Sequence, residues 1–249
     1  MMEPDDSANS RAFDRIAEAY DLLVNEPKRW AYEGDALMRW LAGAGQQRRR
    51  VLDVGCGTGF HARHLAGNCD ADVTAIDPAR QMLEAAQTKP FGDRVRWARA
   101  SAERPPNGPY DLILVLGNTL SLIAWPGDVL RALAAVAAPG ALLVIQTLDY
   151  AALREAGPER VERTGSRMSI EKRLTPFPAG SRIAARLEIT VHDPNGERIG
   201  RIMDDLRDHP TEELEAEGAR HGWIVSERRR SYRDPAQGTD RILVLRRLA

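Results

Sequence analysis

The chain has 249 residues, enough for one large α/β domain or two small ones. With 43% hydrophobic and 29% charged residues it can build a packed core, and a formal net charge of −1 gives no global attraction to nucleic acid or to an anionic membrane. Two cysteines, Cys56 and Cys69, are too few for a disulfide framework and fit reduced thiols in a cytoplasmic protein, and no apolar run approaches the ~20 residues that cross a bilayer.

Residues 1–9 are polar and acidic, lack the apolar stretch of a signal peptide and read as a frayed tail. From Ser10 to Trp40 the pattern is helical, with Phe13, Ile16, Ala17, Tyr20 and Leu23 on one face. Pro27 interrupts it, and a second helix is expected from about Trp30 to Leu41, ended by Gly43-Ala44-Gly45. A basic run, Arg48-Arg49-Arg50, leads into a first strand at about 50–54. There the chain reads Val51-Leu52-Asp53-Val54-Gly55-Cys56-Gly57-Thr58-Gly59, a buried strand and a glycine-rich turn, and a helix follows over about 59–66. Only glycine lets a backbone approach a ligand so closely, so the unit reads as a nucleotide-cofactor site. A dinucleotide loop has the spacing G-x-G-x-x-G; here it is G-x-G-x-G, and Phe60 stands where the third dinucleotide glycine falls. Asp53 would also repel a pyrophosphate and suits a ligand with a positive end.

The alternation continues. A second strand, Asp72–Ile76, is followed by Asp77-Pro78 and a helix to about Gln87. A third strand, Arg94–Ala98, precedes Arg99-Ala100-Ser101-Ala102-Glu103. The fourth, Asp111–Leu116, is a near-continuous apolar run, typical of a sheet covered on both faces, and it ends on Gly117-Asn118-Thr119-Leu120. A helix over about 127–138 and a fifth strand, Ala141–Thr147, follow. After Tyr150 the rhythm changes to alternating stretches at 167–174, 182–191 and 197–206, with Pro194-Asn195-Gly196 as a hairpin turn. These predict a three-stranded antiparallel insertion after strand 5. A helix over Thr211–His221, with Thr211 as N-cap, and an edge hairpin, 223–231 with 240–247, complete seven strands of a doubly wound, Rossmann-like α/β sheet. The expected organisation is cap helices at 1–45, an α/β domain at 46–150 and 207–249, and an insertion at 151–206 over the active site.

The nine residues at 51–59 resemble the first motif of class I S-adenosylmethionine (SAM) methyltransferases, (V/L)LDxGCGTG. SAM carries an ammonium and a sulfonium and no phosphate, so Asp53 fits. The resemblance covers about 10–248 and implies SAM as cofactor, held by Gly55, Cys56, Gly57 and Gly59 of the loop. It assigns Asp77, 18 residues after Gly59, to the ribose hydroxyls, with an N-cap as the plainer role. Pro78 and Met82 fall beside the adenine, Met82 equally as a core residue. Ser101 stands where the family has an acid for the adenine amine, and the Ala102 N–H could reach a ring nitrogen. Leu116, Gly117 and Asn118 face the methyl group. Tyr20 and Trp30, on the cap helices, would offer aromatic faces to the sulfonium, or pack in the core.

The stretches Gly117-Asn118-Thr119-Leu120 and Gln146-Thr147-Leu148-Asp149-Tyr150 are similar to glycine/sarcosine N-methyltransferase-like enzymes and their amino-sugar relatives, although that subgroup has Asn-Tyr where this chain has Asp149-Tyr150. The implied function is methyl transfer to a small molecule, an amine before a hydroxyl, with Asn118 and Tyr20 at the reacting centre and His209 or Asp149 as a base if one is needed. Arg167, Arg173, Arg182 and Arg186 of the insertion could bind an acidic acceptor. A small-molecule O-methyltransferase, a protein or RNA methyltransferase and a non-catalytic SAM-binding protein are the alternatives. No metal is expected, because His61 and His64 lack a third ligand of matching spacing. Cys56 reads as a packing residue, not a nucleophile. Arg48–Arg50 and Arg228–Arg230 read as solvated strand ends, so neither nucleic acid nor membrane is expected as a partner, and the protein is expected to be a monomer or homodimer.

Overall fold

The structure, a computed structural model, describes residues 8–44, 49–181 and 183–248. The expected tail, Arg48 and Arg182 fall wholly or mainly outside these residues. The N-terminal segment forms α1 (Ala8–Asp14), α2 (Ala17–Tyr20), a 3-10 turn (Asp21–Leu23) and α3 (Glu26–Gly43). The single helix expected before Pro27 is thus broken at Arg15-Ile16, and the break lets Ile16, Ala17 and Ala19 all reach the core. Pro27 opens α3 instead of interrupting it. It occupies the first turn, where its missing N–H costs nothing, and Asn25 caps that turn by accepting from Lys28 N at 3.1 Å.

The α/β part runs β1 (Arg49–Val54), α4 (Phe60–Asn68), β2 (Ala71–Asp77), α5 (Arg80–Gln87), β3 (Val95–Arg99), β4 (Tyr110–Val115), a 3-10 turn (Thr119–Leu122), α6 (Pro126–Val136) and β5 (Ala137–Leu148). It resumes with α8 (Thr211–Arg220), β10 (Trp223–Arg229) and β11 (Asp240–Arg247). The seven-stranded sheet has the order β10-β11-β5-β4-β1-β2-β3. Strands β1 to β5 are parallel, β11 runs antiparallel to β5, and β10 is the edge. Val51 faces α3 and α4 with Leu112, Leu114 and Val144, whereas Leu52 and Val54 face α6 and α8 with Ile113 and Trp223. Both faces are covered, which is why the strands read as continuous apolar runs. The strand order reverses between β1 and β4, so their carboxyl ends open a crevice. Thr211 makes no cap; it lies inside the first turn of α8, after Pro210.

The insertion is a second sheet of four strands, not three: β6 (Glu159–Thr164), β7 (Ser169–Pro176), β8 (Ala185–His192) and β9 (Arg198–Leu206), paired antiparallel in that order. Its first strand escapes a periodicity reading because Glu-Arg-Val-Glu-Arg-Thr is exposed along nearly its whole length and is held by backbone pairing to β7. A short helix, α7 (Tyr150–Ala156), links the sheets, and Asp149 caps it by accepting from Ala151 N and Ala152 N. Among the described residues no helix is long and apolar enough to cross a membrane.

Candidate active site

The loop after β1 takes its shape from three left-handed glycines, Gly55, Gly57 and Gly59 (φ 66, 54 and 77°). A Cβ at Gly55 would strike Thr119, and one at Gly59 would strike Trp97, so both are forced by packing. Gly57 differs: nothing lies within 4 Å of where its Cβ would stand, so its open side leaves room for a ligand against the backbone. The amides of Gly55 and Cys56 donate to Ile76 O at 2.8 and 3.0 Å, which binds the loop to β2. Cys56 is buried, and burial, followed by the charges of Asp77 and Asp53, pushes its thiol well above the ordinary value; it is no nucleophile.

Asp77 closes β2. Its two oxygens accept from Gly57 N at 2.8 Å and Ala79 N at 2.9 Å, so it holds the glycine loop and the turn before α5, whose N-cap is Ala79 and not Asp77. Each oxygen keeps a lone pair for a further donor. Burial pushes its carboxyl up to about 6 against those two amides. Asp53 is also buried. It accepts from Ala62 N at 3.2 Å, and burial raises its proton affinity while His61 opposes the rise.

The cap contributes a residue that sequence reasoning missed, Arg29. Its Nε donates to Glu33 at 2.8 Å, its guanidinium stacks on Phe60, and its Nη2 lies 3.9 Å from where a Cβ of Gly117 would stand. Glu33 is buried and also accepts from His61 Nε2 at 2.6 Å. The signal was present: Arg29 and Glu33 continue the stripe of Leu37 and Trp40, so a charged pair sits on the buried face of α3. Tyr20 stands near Arg29 and Asp77, and burial is the main cause of its raised proton affinity. Asp21 fastens the cap to the glycine loop by accepting from Thr58 Oγ1 at 2.7 Å and by pairing with Lys89.

Other expected residues are placed differently. Trp30 stacks on His64 at 4.7 Å, on the α4 side of α3. Met82 is fully buried against Ile16, Ala17 and the insertion. Pro78 O accepts from Arg99 Nε at 3.0 Å, Ser101 is half-buried, and Ala102 is buried. Leu116 belongs to the core beneath α3, and Gly117 is exposed with φ 68°.

Asn118, also left-handed at φ 66°, ties three elements together. Its Oδ1 accepts from Leu148 N at 3.0 Å and from Ser121 Oγ at 2.9 Å, and its Nδ2 donates to the Tyr150 hydroxyl at 3.0 Å. Tyr150 is completely buried, so its hydroxyl supports Asn118 from within the core. Gln146 accepts from Asn118 N at 3.1 Å and donates to Asp240 at 2.9 Å.

The two candidate bases are occupied. His209 is buried with Nε2 3.0 Å from Ile123 O, and burial lowers its proton affinity; its partners are carbonyls of the turn after β4, not Asn118 or Asp77. Asp149 is partly desolvated, but its two α7 amides and Arg230 outweigh that and hold its carboxyl below the usual range. Among the described residues no group of three or more His, Cys, Asp or Glu side chains stands where it could hold a metal ion.

A sheet of this strand order, with a glycine loop after β1 and an acid after β2 that accepts from that loop, has the class I SAM-dependent methyltransferase fold. Residues 51–140 match the methyltransferase domain family. A ubiquinone biosynthesis O-methyltransferase of Caulobacter sp. (strain K31) is 32% identical over 123 residues, covering 46% of this chain and 48% of that protein. A glycine/sarcosine N-methyltransferase of Parasynechococcus marenigrum (strain WH8102) is 30% identical over 150 residues, covering 57% and 52%. The chain thus spans about half the length of these curated relatives. The structure of SAM-bound CalS10, an amino pentose methyltransferase from Micromonospora echinaspora involved in calicheamicin biosynthesis, superposes with a TM-score of 0.68 at 21% identity, over 99% of this chain and 100% of that one. The match over residues 51–140 and the shared fold agree with the resemblance of residues 51–59 to the class I SAM-dependent methyltransferases, whose cofactor is SAM.

Proposed function

We propose that this chain transfers the methyl group of SAM to a small-molecule amine. The observation that carries the amine is the state of the two candidate bases: His209 is bound to the Ile123 carbonyl and held weakly basic, and Asp149 is held ionised by Arg230 and the α7 amides. An amine delivered in its neutral form needs neither. SAM supplies an activated methyl on its sulfonium, so the protein's part is alignment and exclusion of water. Asp77 receives the ribose hydroxyls, the open side of Gly57 receives the cofactor backbone, and Arg29, beside Gly117, receives the carboxylate. Tyr20 packs over the sulfonium. Asn118 fixes the chain after β4 and, through Leu148 N, the end of β5, so that the acceptor meets the methyl in line. The antiparallel sheet covers this centre. The names of the O-methyltransferase relatives favour a second reading, a small-molecule hydroxyl acceptor. Labelled SAM with pools of primary amines and of catechols separates the two. Methyl transfer to amines alone supports the first reading; transfer to catechols alone overturns it.

A further inference from the structure

Phe60 stands where a dinucleotide loop has its third glycine, and methyl transfer as described so far leaves it without a role. Its ring is buried and carries the guanidinium of Arg29, whose Cζ lies 4.7 Å from the ring centroid. A ring face attracts a cation and sets the plane of a guanidinium laid on it. A second constraint comes from Glu33, one turn along α3, whose Oε1 accepts from Arg29 Nε at 2.8 Å. A third lies behind the second: Glu33 Oε2 is 2.6 Å from Nε2 of His61 on α4, and both side chains are buried. The next residue, Ala62, donates its amide to Asp53 of β1, so α4 gives this chain of contacts a fixed base.

The positions of the hydrogens follow from charge. Burial opposes the charge of Glu33, but the hydrogen bonds and charges of His61 and Arg29 outweigh it and hold its carboxyl below the usual range. An ionised carboxylate only accepts, so His61 Nε2 carries a hydrogen and donates it. Arg29 Nη2 lies 3.3 Å from the same nitrogen, and two donors make no hydrogen bond. Among the described residues Nη2 therefore meets no acceptor, although Phe60 and Glu33 fix the group that bears it. That open edge lies beside Gly117, at the end of β4. The arginines that the sequence offered for an anion are placed differently. Arg173 and Arg186 are exposed and paired with Glu171 and Asp205, and Arg167 is exposed.

We infer that Glu33 and His61 are positioning residues: they hold Arg29 flat on Phe60 with its Nη edge turned to the amino-acid end of the cofactor, so that the site selects an adenosyl ligand bearing a carboxylate. This rests on the reading above in which Arg29 receives that carboxylate. The test titrates the full-length protein, by calorimetry, with the demethylated product, S-adenosylhomocysteine, and with 5′-methylthioadenosine, which shares the adenosyl group and lacks the amino-acid end. Glu33→Gln and Glu33→Met lose the same charge, so the difference between them reads the hydrogen bonds alone. Glutamine keeps an acceptor for Arg29 Nε and offers His61 an N–H, which the imidazole accepts in its other tautomer; methionine offers neither. S-adenosylhomocysteine is expected to bind Glu33→Gln about tenfold more tightly than Glu33→Met, the scale of the rotamer freedom that an unheld arginine regains. 5′-Methylthioadenosine should bind both alike. His61→Gln, which keeps an N–H for Glu33, and His61→Leu, which does not, should divide the two ligands in the same direction. With Arg29→Met in the background, the advantage of Glu33→Gln should vanish. The inference is overturned if Glu33→Gln and Glu33→Met bind S-adenosylhomocysteine equally, if 5′-methylthioadenosine falls in step with it, or if the advantage survives without Arg29. An Arg29→Met variant that binds S-adenosylhomocysteine as the wild type does would overturn the carboxylate role of Arg29 itself, and a wild type that binds none would overturn the methyl-transfer reading.

Discussion

Replacing Asp77 by asparagine separates a cofactor-binding acid from a structural one, because affinity and stability should move in opposite directions. The carboxylate would give the ribose two charged hydrogen bonds. Losing them costs about 1.5–3 kcal/mol, or roughly 10- to 150-fold in Kd. The free protein gains. The Asp77 carboxyl lies at about 6 in the folded chain against an ordinary value of 3.8. For a group raised on folding, the contribution to stability is complete below about pH 4 and lost as pH rises through 6. At pH 7 the ionised, desolvated carboxylate therefore weighs against the fold by about 3 kcal/mol. Asparagine removes that penalty but sets an amide donor against one of the two N–H groups, at a cost of about 1 kcal/mol. The net expectation is a variant more stable by about 2 kcal/mol without cofactor at pH 7, with the gain gone at about pH 4. Wild-type affinity for SAM should also fall about tenfold between pH 7 and pH 5, as protons compete for the carboxylate, and Asp77→Asn should lack that dependence. Calorimetric titration with SAM and denaturant melts at both pH values measure these quantities. An Asp77→Asn variant that binds SAM normally and unfolds earlier would refute the argument.

Three further outcomes are expected. Arg29→Met should weaken S-adenosylhomocysteine about tenfold and leave 5′-methylthioadenosine, which has no amino-acid end, unchanged in the same titration; equal losses for both would place Arg29 in the scaffold. Gly57→Ala should cost about 1–2 kcal/mol through its left-handed backbone, read in thermal melts, and should also reduce SAM affinity, because the new methyl enters the open side of the loop. Asn118→Ala leaves Leu148 N, Ser121 Oγ and the Tyr150 hydroxyl without their shared partner, so a loss of about 2–3 kcal/mol in urea melts should accompany the loss of turnover; lost turnover with unchanged stability would instead place Asn118 in contact with the acceptor.

Legibility followed the range of the interactions. The pattern from Val51 to Gly59 and the acid after β2 are local, because each is set by residues adjacent in the chain and by the parity of a buried strand. Asp77 could be placed beside the glycine loop from position alone, but not as the N-cap of α5, because that position falls two residues later, at Ala79. The first strand of the antiparallel sheet was invisible because it buries almost nothing, and pairing without burial leaves no hydrophobic period. The N-terminal helix was read as continuous because its apolar period survives the break at Ile16; the break is made by what packs on it.

By itself the sequence determined the doubly wound sheet, the glycine loop, its preference for a cationic cofactor over a dinucleotide, and the presence of an antiparallel insertion. These depend on spacing along the chain, which is fixed before folding. The tertiary structure decided which polar side chains stand beside the strand ends. Arg29 reaches Gly117 only because α3 crosses the end of β4, and Asn118 is committed to Leu148 and Tyr150 only because β4 and β5 lie side by side. Arg173 and Arg186 of the insertion turned outward because the face of a strand is chosen by the apolar neighbours it must bury, and those neighbours come from the cap and from α7.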